Sequence, residues 1–206
     1  MAEQIFPTKG NLMNAKKSLA LSQLGYELLD RKRNILIREL MSLVDDAKEL
    51  RGSIEEAYSE AYTALQRAQL TMGIVEQVAQ AVPVDNSVEV KYRSVMGVEL
   101  PKVTIKKKKL KISYGLYHTN DELDYAYYCF DRVKQLTAVL AEVENSIYRL
   151  AIAVKKTQSR ANALKNIMIP KFQGVVKFIS DSLEEKERED FSRLKVIKLQ
   201  KSKKNV

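Results

Sequence analysis

The sequence predicts a mainly α fold: a long antiparallel two-helix coiled coil, built from its N- and C-terminal helices, with a small central β-hairpin module. Three observations predict it. First, Leu36, Leu40, Leu43, Ala47, Leu50, Ile54, Ala57, Ala61, Ala64 and Ala68 recur at alternating steps of three and four. That spacing places them on one narrow helical seam. Second, the same steps return in Val133, Leu136, Leu140, Val143, Ile147, Leu150, Val154, Thr157, Ala161, Leu164 and Met168. Third, between the two seams the apolar period falls from about 3.5 to about 2, the spacing of a strand. A seam this long needs a partner helix of similar length, and the chain supplies its own.

Composition agrees with long helices. The 206 residues include no Trp, four Pro and seven Gly, and only 7% are aromatic. A layered α/β core would be short of bulky filler, whereas Ala-, Leu-, Lys- and Glu-rich sequence with heptad spacing suits a coiled coil. The net charge is +9, concentrated in Lys106 to Lys109, in the tail beyond Arg193, and in Lys9, Lys16, Lys17, Arg31, Lys32 and Arg33. Such charge suits nucleic acid, anionic lipid or an acidic protein surface, and does not by itself choose. Cys129 is the single cysteine, so no intrachain disulfide forms and no thiolate metal cluster can assemble. The start lacks a signal-peptide pattern and no apolar run approaches membrane-spanning length. The expected location is cytoplasmic, with membrane attachment only through partners.

Taken in order, residues 1–7 form an irregular segment ending at Pro7, and Thr8 caps a long N-terminal helix over 8–82. The Val82-Pro83 step stops it, after a rod of roughly 100 Å at 1.5 Å per residue. Residues 83–118 form the β-hairpin module and loop. Val88, Val90 and Tyr92 alternate with charged residues in one strand, Val95 to Val98 turns, and Val103 to Ile105 with Leu110 to Ile112 continue a second. The hairpin is expected to project from one end of the rod, with the lysine run on an exposed edge. Thr119 or Asn120 caps a second long helix over 119–192, which Pro170 should kink or locally open. The final residues 193–206 read as a basic, fraying tail. Both termini then meet at one tip of the rod, and the module sits at the other.

The chemistry of an active site is missing. There is no Gly-rich phosphate loop, no dinucleotide fingerprint and no paired-histidine zinc motif. His118 is the sole histidine. Acidic neighbours such as Asp45-Asp46 and Glu55-Glu56 diverge around a helix and do not converge on a substrate. No catalytic, cofactor-binding or metal-binding residues are assigned, and no cofactor is expected.

Several stretches resemble a known family. Pro7-Thr8-Lys9 and then Gly25-Tyr26-Glu27-Leu28-Leu29-Asp30-Arg31-Lys32-Arg33 are similar to the N-terminal helix of the D subunit of the V/A-type rotary ATPases and ATP synthases. Arg160-Ala161-Asn162-Ala163-Leu164, continuing to Ile169-Pro170, resembles that family's R-x-N-A-L-x-x-x-x-I-P segment. Asn120 to Asp124 is similar to the opening of its second long helix. The resemblance covers both long helices and touches the middle, 84–118, in character only.

The resemblance implies a central rotor shaft (stalk), a non-catalytic component present in one copy per complex. It would carry torque between ATP hydrolysis or synthesis in a hexamer of catalytic A and noncatalytic B subunits and proton or sodium transport by a membrane ring. Implied partners are that hexamer, the small F subunit of the stalk alongside the coiled coil, and a membrane-ring socket protein of C/d type, with no direct nucleotide and no nucleic acid. The expected partner-contact residues are Lys9, Lys16, Lys17, Arg31, Lys32, Arg33 and Lys165, facing acidic loops of the hexamer. The seam is expected at Leu36, Leu40, Leu43, Ala47, Leu50, Ile54, Leu150, Val154, Ala161 and Leu164. The alternative is a basic coiled-coil adaptor or scaffold that binds nucleic acid or an acidic partner.

Overall fold

The computed structural model describes residues 6–106, 113–115, 117 and 119–204. Lys107 to Lys109 of the lysine run, the Leu110 to Ile112 extension of the second strand and His118 lie outside the described residues. The element order is α1 (Lys9–Met72), α2 (Glu76–Ala79), β1 (Val88–Val95), β2 (Val98–Ile105), α3 (Asp121–Ala163), a π-helical segment (Leu164–Met168) and α4 (Ile169–Lys204). Long helices with one antiparallel hairpin between them match the fold class expected from the sequence.

Local chemistry sets the ends of α1. Thr8 is its N-cap: the Oγ1 accepts a hydrogen bond from the Asn11 N–H at 3.2 Å, and the Thr8 carbonyl accepts from the Leu12 N–H at 2.9 Å. The Asn11 N–H, which has no helical partner, is thereby satisfied. The helix stops at Met72, ten residues before the expected end at 82. Gly73 takes a left-handed φ of +80° while its N–H still donates to the Gln69 carbonyl at 2.9 Å, a glycine stop that acts before any proline is reached. The helix expected over 8–82 is therefore α1 plus the short α2.

The C-terminal helix also differs from expectation. Pro170 lacks an N–H, and its ring crowds the carbonyl four residues back. The strain is relieved by the π-helical turn at Leu164–Met168, directly before α4. The ladder opens locally, the second of the two outcomes expected for Pro170. Beyond it α4 runs to Lys204, past the expected end at 192. Arg188–Glu184 and Arg193–Glu189 pairs one turn apart support this stretch, as such spacing does on helix surfaces.

The chain divides into two compact units. The first comprises Met1–Arg33 and Lys155–Val206, the second Asn34–Val154. In the first, α1 and the C-terminal helix run antiparallel. Lys9 pairs with Glu187 at 3.1 Å, the Lys165 ammonium sits 5.7 Å from the Tyr26 ring centre, and Arg33 donates to Gln158 at 2.8 Å. Ala15, Ala161 and Ile179 are buried along this seam.

In the second unit α1 and α3 are likewise antiparallel, and three apolar clusters hold them. Ala57 and Ala61 pack on Cys129 and Val133, where small side chains let the helices close up. Ala68 packs with Val75, Tyr114 and Leu123. Leu36 and Leu150 enclose Leu100 of β2, and all three are fully buried. That last contact corrects the expected projecting hairpin. The hairpin lies back along the helix pair of its own unit, because Leu100 has an apolar socket there.

Candidate partner-binding surfaces

The seven cations expected to meet partners fall in the first unit. Lys16, Lys17, Arg31 and Lys32 have no acidic partner among the described residues. Lys9 is held by Glu187, although both ends of that pair are exposed, so it adds little stability. Lys165 is exposed and leans over Tyr26. Arg33 differs: its side chain is only 25% exposed and pairs with Asp30 at 2.7 Å while donating to Gln158. It ties α1 to α3 within the unit. Of the expected seam residues, Leu36, Ala47, Ile54, Leu150 and Ala161 are buried, and Leu40, Leu43, Leu50, Val154 and Leu164 are half-buried.

The end of α4 carries a surface that the heptad spacing does not single out. Phe191, Leu194, Val196, Ile197 and Leu199 are all exposed, from 47% to 71%. At about 100° per residue these five lie at about 0°, 300°, 140°, 240° and 80° around the helix. They encircle it instead of forming a stripe. Lys195, Lys198 and Lys201 are interspersed, without an acidic partner among the described residues. The missing 3-4 period is what hides this surface from sequence reasoning.

In the second unit, charged side chains fix the hairpin. Asp85 accepts from the Ser87 N–H at 3.1 Å and the Ser87 hydroxyl at 2.7 Å, and from Lys134 of α3 at 2.9 Å. The Lys134 ammonium and the Ser87 hydroxyl hold the Asp85 carboxyl well below the usual carboxylate range. Lys134 is raised in turn, chiefly by Asp131. Further along α3, Glu142 accepts from the Val103 N–H at 2.7 Å and Arg149 donates to the Glu99 carbonyl at 3.1 Å. At the other end of the unit, the Tyr125 hydroxyl is pushed up to about 12 by the hydrogen bond it donates to Glu60 at 2.6 Å. Tyr58, Tyr62 and Phe130 form an aromatic chain beside it, with ring centres 6.1 and 5.7 Å apart.

Among the described residues, no group of three or more His, Cys, Asp or Glu side chains could hold a metal ion. No helix among them is long and apolar enough to cross a membrane. The surfaces on offer are cations, apolar knobs and a hairpin edge, which suit protein contacts.

Comparison with known proteins gives one consistent result. A family model described as the D subunit of ATP synthase matches residues 11–199. The D subunit of a V-type ATP synthase from Thermotoga neapolitana is 43% identical over 94% of this chain and 97% of its own length. The D subunits of the A-type ATP synthases from Pyrococcus horikoshii and Thermococcus kodakarensis are 36% and 37% identical, each over at least 94% of both chains.

Proposed function

We infer that this chain, which belongs to the D-subunit family of the ATP synthases, is the central rotor shaft of a V- or A-type ATP synthase. It carries torque between a hexamer of A and B subunits and an ion-translocating membrane ring, and hydrolyses nothing itself. The small F subunit binds beside its helices, and a socket protein receives the end opposite the termini. The complex makes it a peripheral membrane protein on the cytoplasmic side, in one copy.

The observation that carries this reading is the encircled end of α4. A helix face that docks on a flat partner needs one apolar stripe. Exposed apolar side chains at five angles, mixed with lysines that lack acidic partners, call for a sleeve that surrounds the helix, as a ring of subunits does. Lys9, Lys16, Lys17, Arg31, Lys32 and Lys165 then meet acidic loops of the same sleeve, and Arg33 keeps the two helices in step. Antiparallel pairing supports the load, since two helices locked by a seam twist together where one would bend.

The test is a reconstituted complex carrying the chain shortened by residues 188–206. ATP hydrolysis should persist while ATP-driven ion pumping falls at least tenfold. Pumping at the full rate would overturn the shaft reading. A tagged full-length chain should also recover A and B subunits at three copies each per chain.

A further inference from the structure

The two edges of the hairpin differ: among the described residues α3 takes up outward groups on β2 and none on β1, and the register says which groups point outward. Val95 pairs with Val98 across the two-residue turn Met96-Gly97, where both residues have positive φ, 50° and 76°. A two-residue turn is closed by a hydrogen-bonded pair, and the pairs alternate from there. The Val95, Arg93, Lys91 and Glu89 pairs therefore exchange ladder bonds. At Ser94, Tyr92, Val90 and Val88 the backbone groups point away from the partner strand.

On β2 two of the outward groups in the middle of the strand are taken by side chains of α3 and a third donor is absent. The Val103 N–H is taken by Glu142 and the Glu99 carbonyl by Arg149. Pro101, between them, has no N–H to satisfy. On β1 the outward N–H and carbonyl groups of Val90, Tyr92 and Ser94 have no partner among the described residues. Val88, Val90 and Tyr92 are 47%, 51% and 60% exposed. This edge offers a ready template for another strand.

Charge selects the occupant. Lys91 stands directly opposite Lys102, and neither has an acidic partner among the described residues. Like charges facing each other across a ladder are unfavourable. A second copy of this edge would add more lysine and arginine. An added strand beside Lys91 answers the repulsion when its residues on that face are acidic. On the opposite face its neighbours are Val88 and Val90, which favour apolar side chains, and Tyr92, whose ring already carries the Arg149 guanidinium 5.4 Å from its centre. We propose that the β1 edge binds an extended segment of a partner protein with alternating acidic and apolar residues, added as a third strand.

This does not depend on the shaft reading, and its test needs no rotary complex. The full chain is titrated with a synthetic heptapeptide of alternating glutamate and valine while amide hydrogen exchange is followed by residue. The Val90, Tyr92 and Ser94 amides should gain at least tenfold protection. A Val90→Pro variant removes one outward donor without touching the ladder, as Pro101 does on β2, and should weaken binding roughly tenfold. A Lys91→Glu, Lys102→Glu variant should weaken it as much or more. Exchange at the three amides unchanged by peptide would overturn the proposal. So would binding lost in the double-Glu variant but kept in Val90→Pro, which would mean charge attraction without strand addition.

Discussion

Replacing Leu100 by alanine separates the hairpin's stability from that of the helices beneath it. Leu100 is fully buried against Leu36 and Leu150, with Leu40, Leu43, Val95, Val98, Ala153 and Val154 around them. Leucine-to-alanine changes at such sites cost about 3 kcal/mol, from lost transfer energy and the cavity left behind. A two-stranded hairpin is marginal by itself in water, so docking supplies most of its order. Losing about 3 kcal/mol of docking should raise local opening by roughly a hundredfold. The assay is amide exchange at Arg93, Lys91 and Lys102, whose N–H groups point into the ladder. Those amides should exchange roughly a hundredfold faster in Leu100→Ala, while helical circular dichroism changes little. Unchanged exchange at these amides would refute the reasoning, because Leu100 would then not be what holds the hairpin down.

Met96→Asn should stabilise the hairpin by about 1 kcal/mol, since Met96 sits at φ 50°, where a non-glycine side chain is strained and Asn-Gly is favoured; a thermal melt reads it. Glu142→Ala leaves the Val103 N–H without its acceptor and should cost about 1 to 2 kcal/mol by denaturant titration, whereas Glu142→Gln keeps an acceptor oxygen and should cost less. The depressed Asp85 carboxyl contributes stability that is fully present above the ordinary carboxylate range near pH 4. That contribution is lost as pH falls below it, so the protection of the Lys106 amide, bonded to Ser87, relative to a free amide at the same pH should fall in acid and lose that dependence in Asp85→Asn. Arg33→Ala should destabilise the first unit by about 1 kcal/mol, while Arg31→Ala with Lys32→Ala should leave its melting unchanged and, under the proposed function, weaken binding to the A and B hexamer.

Periodic features are readable in the sequence because they repeat. The heptad steps from Leu36 to Ala68 mark a helix that packs on another, and the alternation around Val88, Val90 and Tyr92 marks a strand. Thr8 is legible as a cap because threonine before a periodic run has a local chemical reason to be there. Single long-range contacts are not legible. Nothing near Leu100 in sequence says that its socket is Leu36 and Leu150, so the pattern alone predicts a projecting hairpin. Gly73 reads as a tolerated helix glycine, since its left-handed φ depends on the chain turning towards Val75 and the cluster around it. The end of α4 reads as a frayed tail because its apolar residues lack a period.

The π turn before Pro170 has a consequence for how the chain can change in length. A π turn is an α-helical turn holding one residue more than usual. Elsewhere in these helices, losing one residue would rotate everything beyond it by about 100° and turn the seam away from its partner. Between Leu164 and Met168 the surplus residue is already present and already absorbed, with Ala161 buried before it and Ile179 buried after it. A one-residue deletion in that stretch would return the turn to ordinary width and keep the downstream register, bringing back only the crowding of the Pro170 ring against the carbonyl four residues before it. This makes it the place where a lineage could shorten the helix by one residue while the downstream part keeps its face.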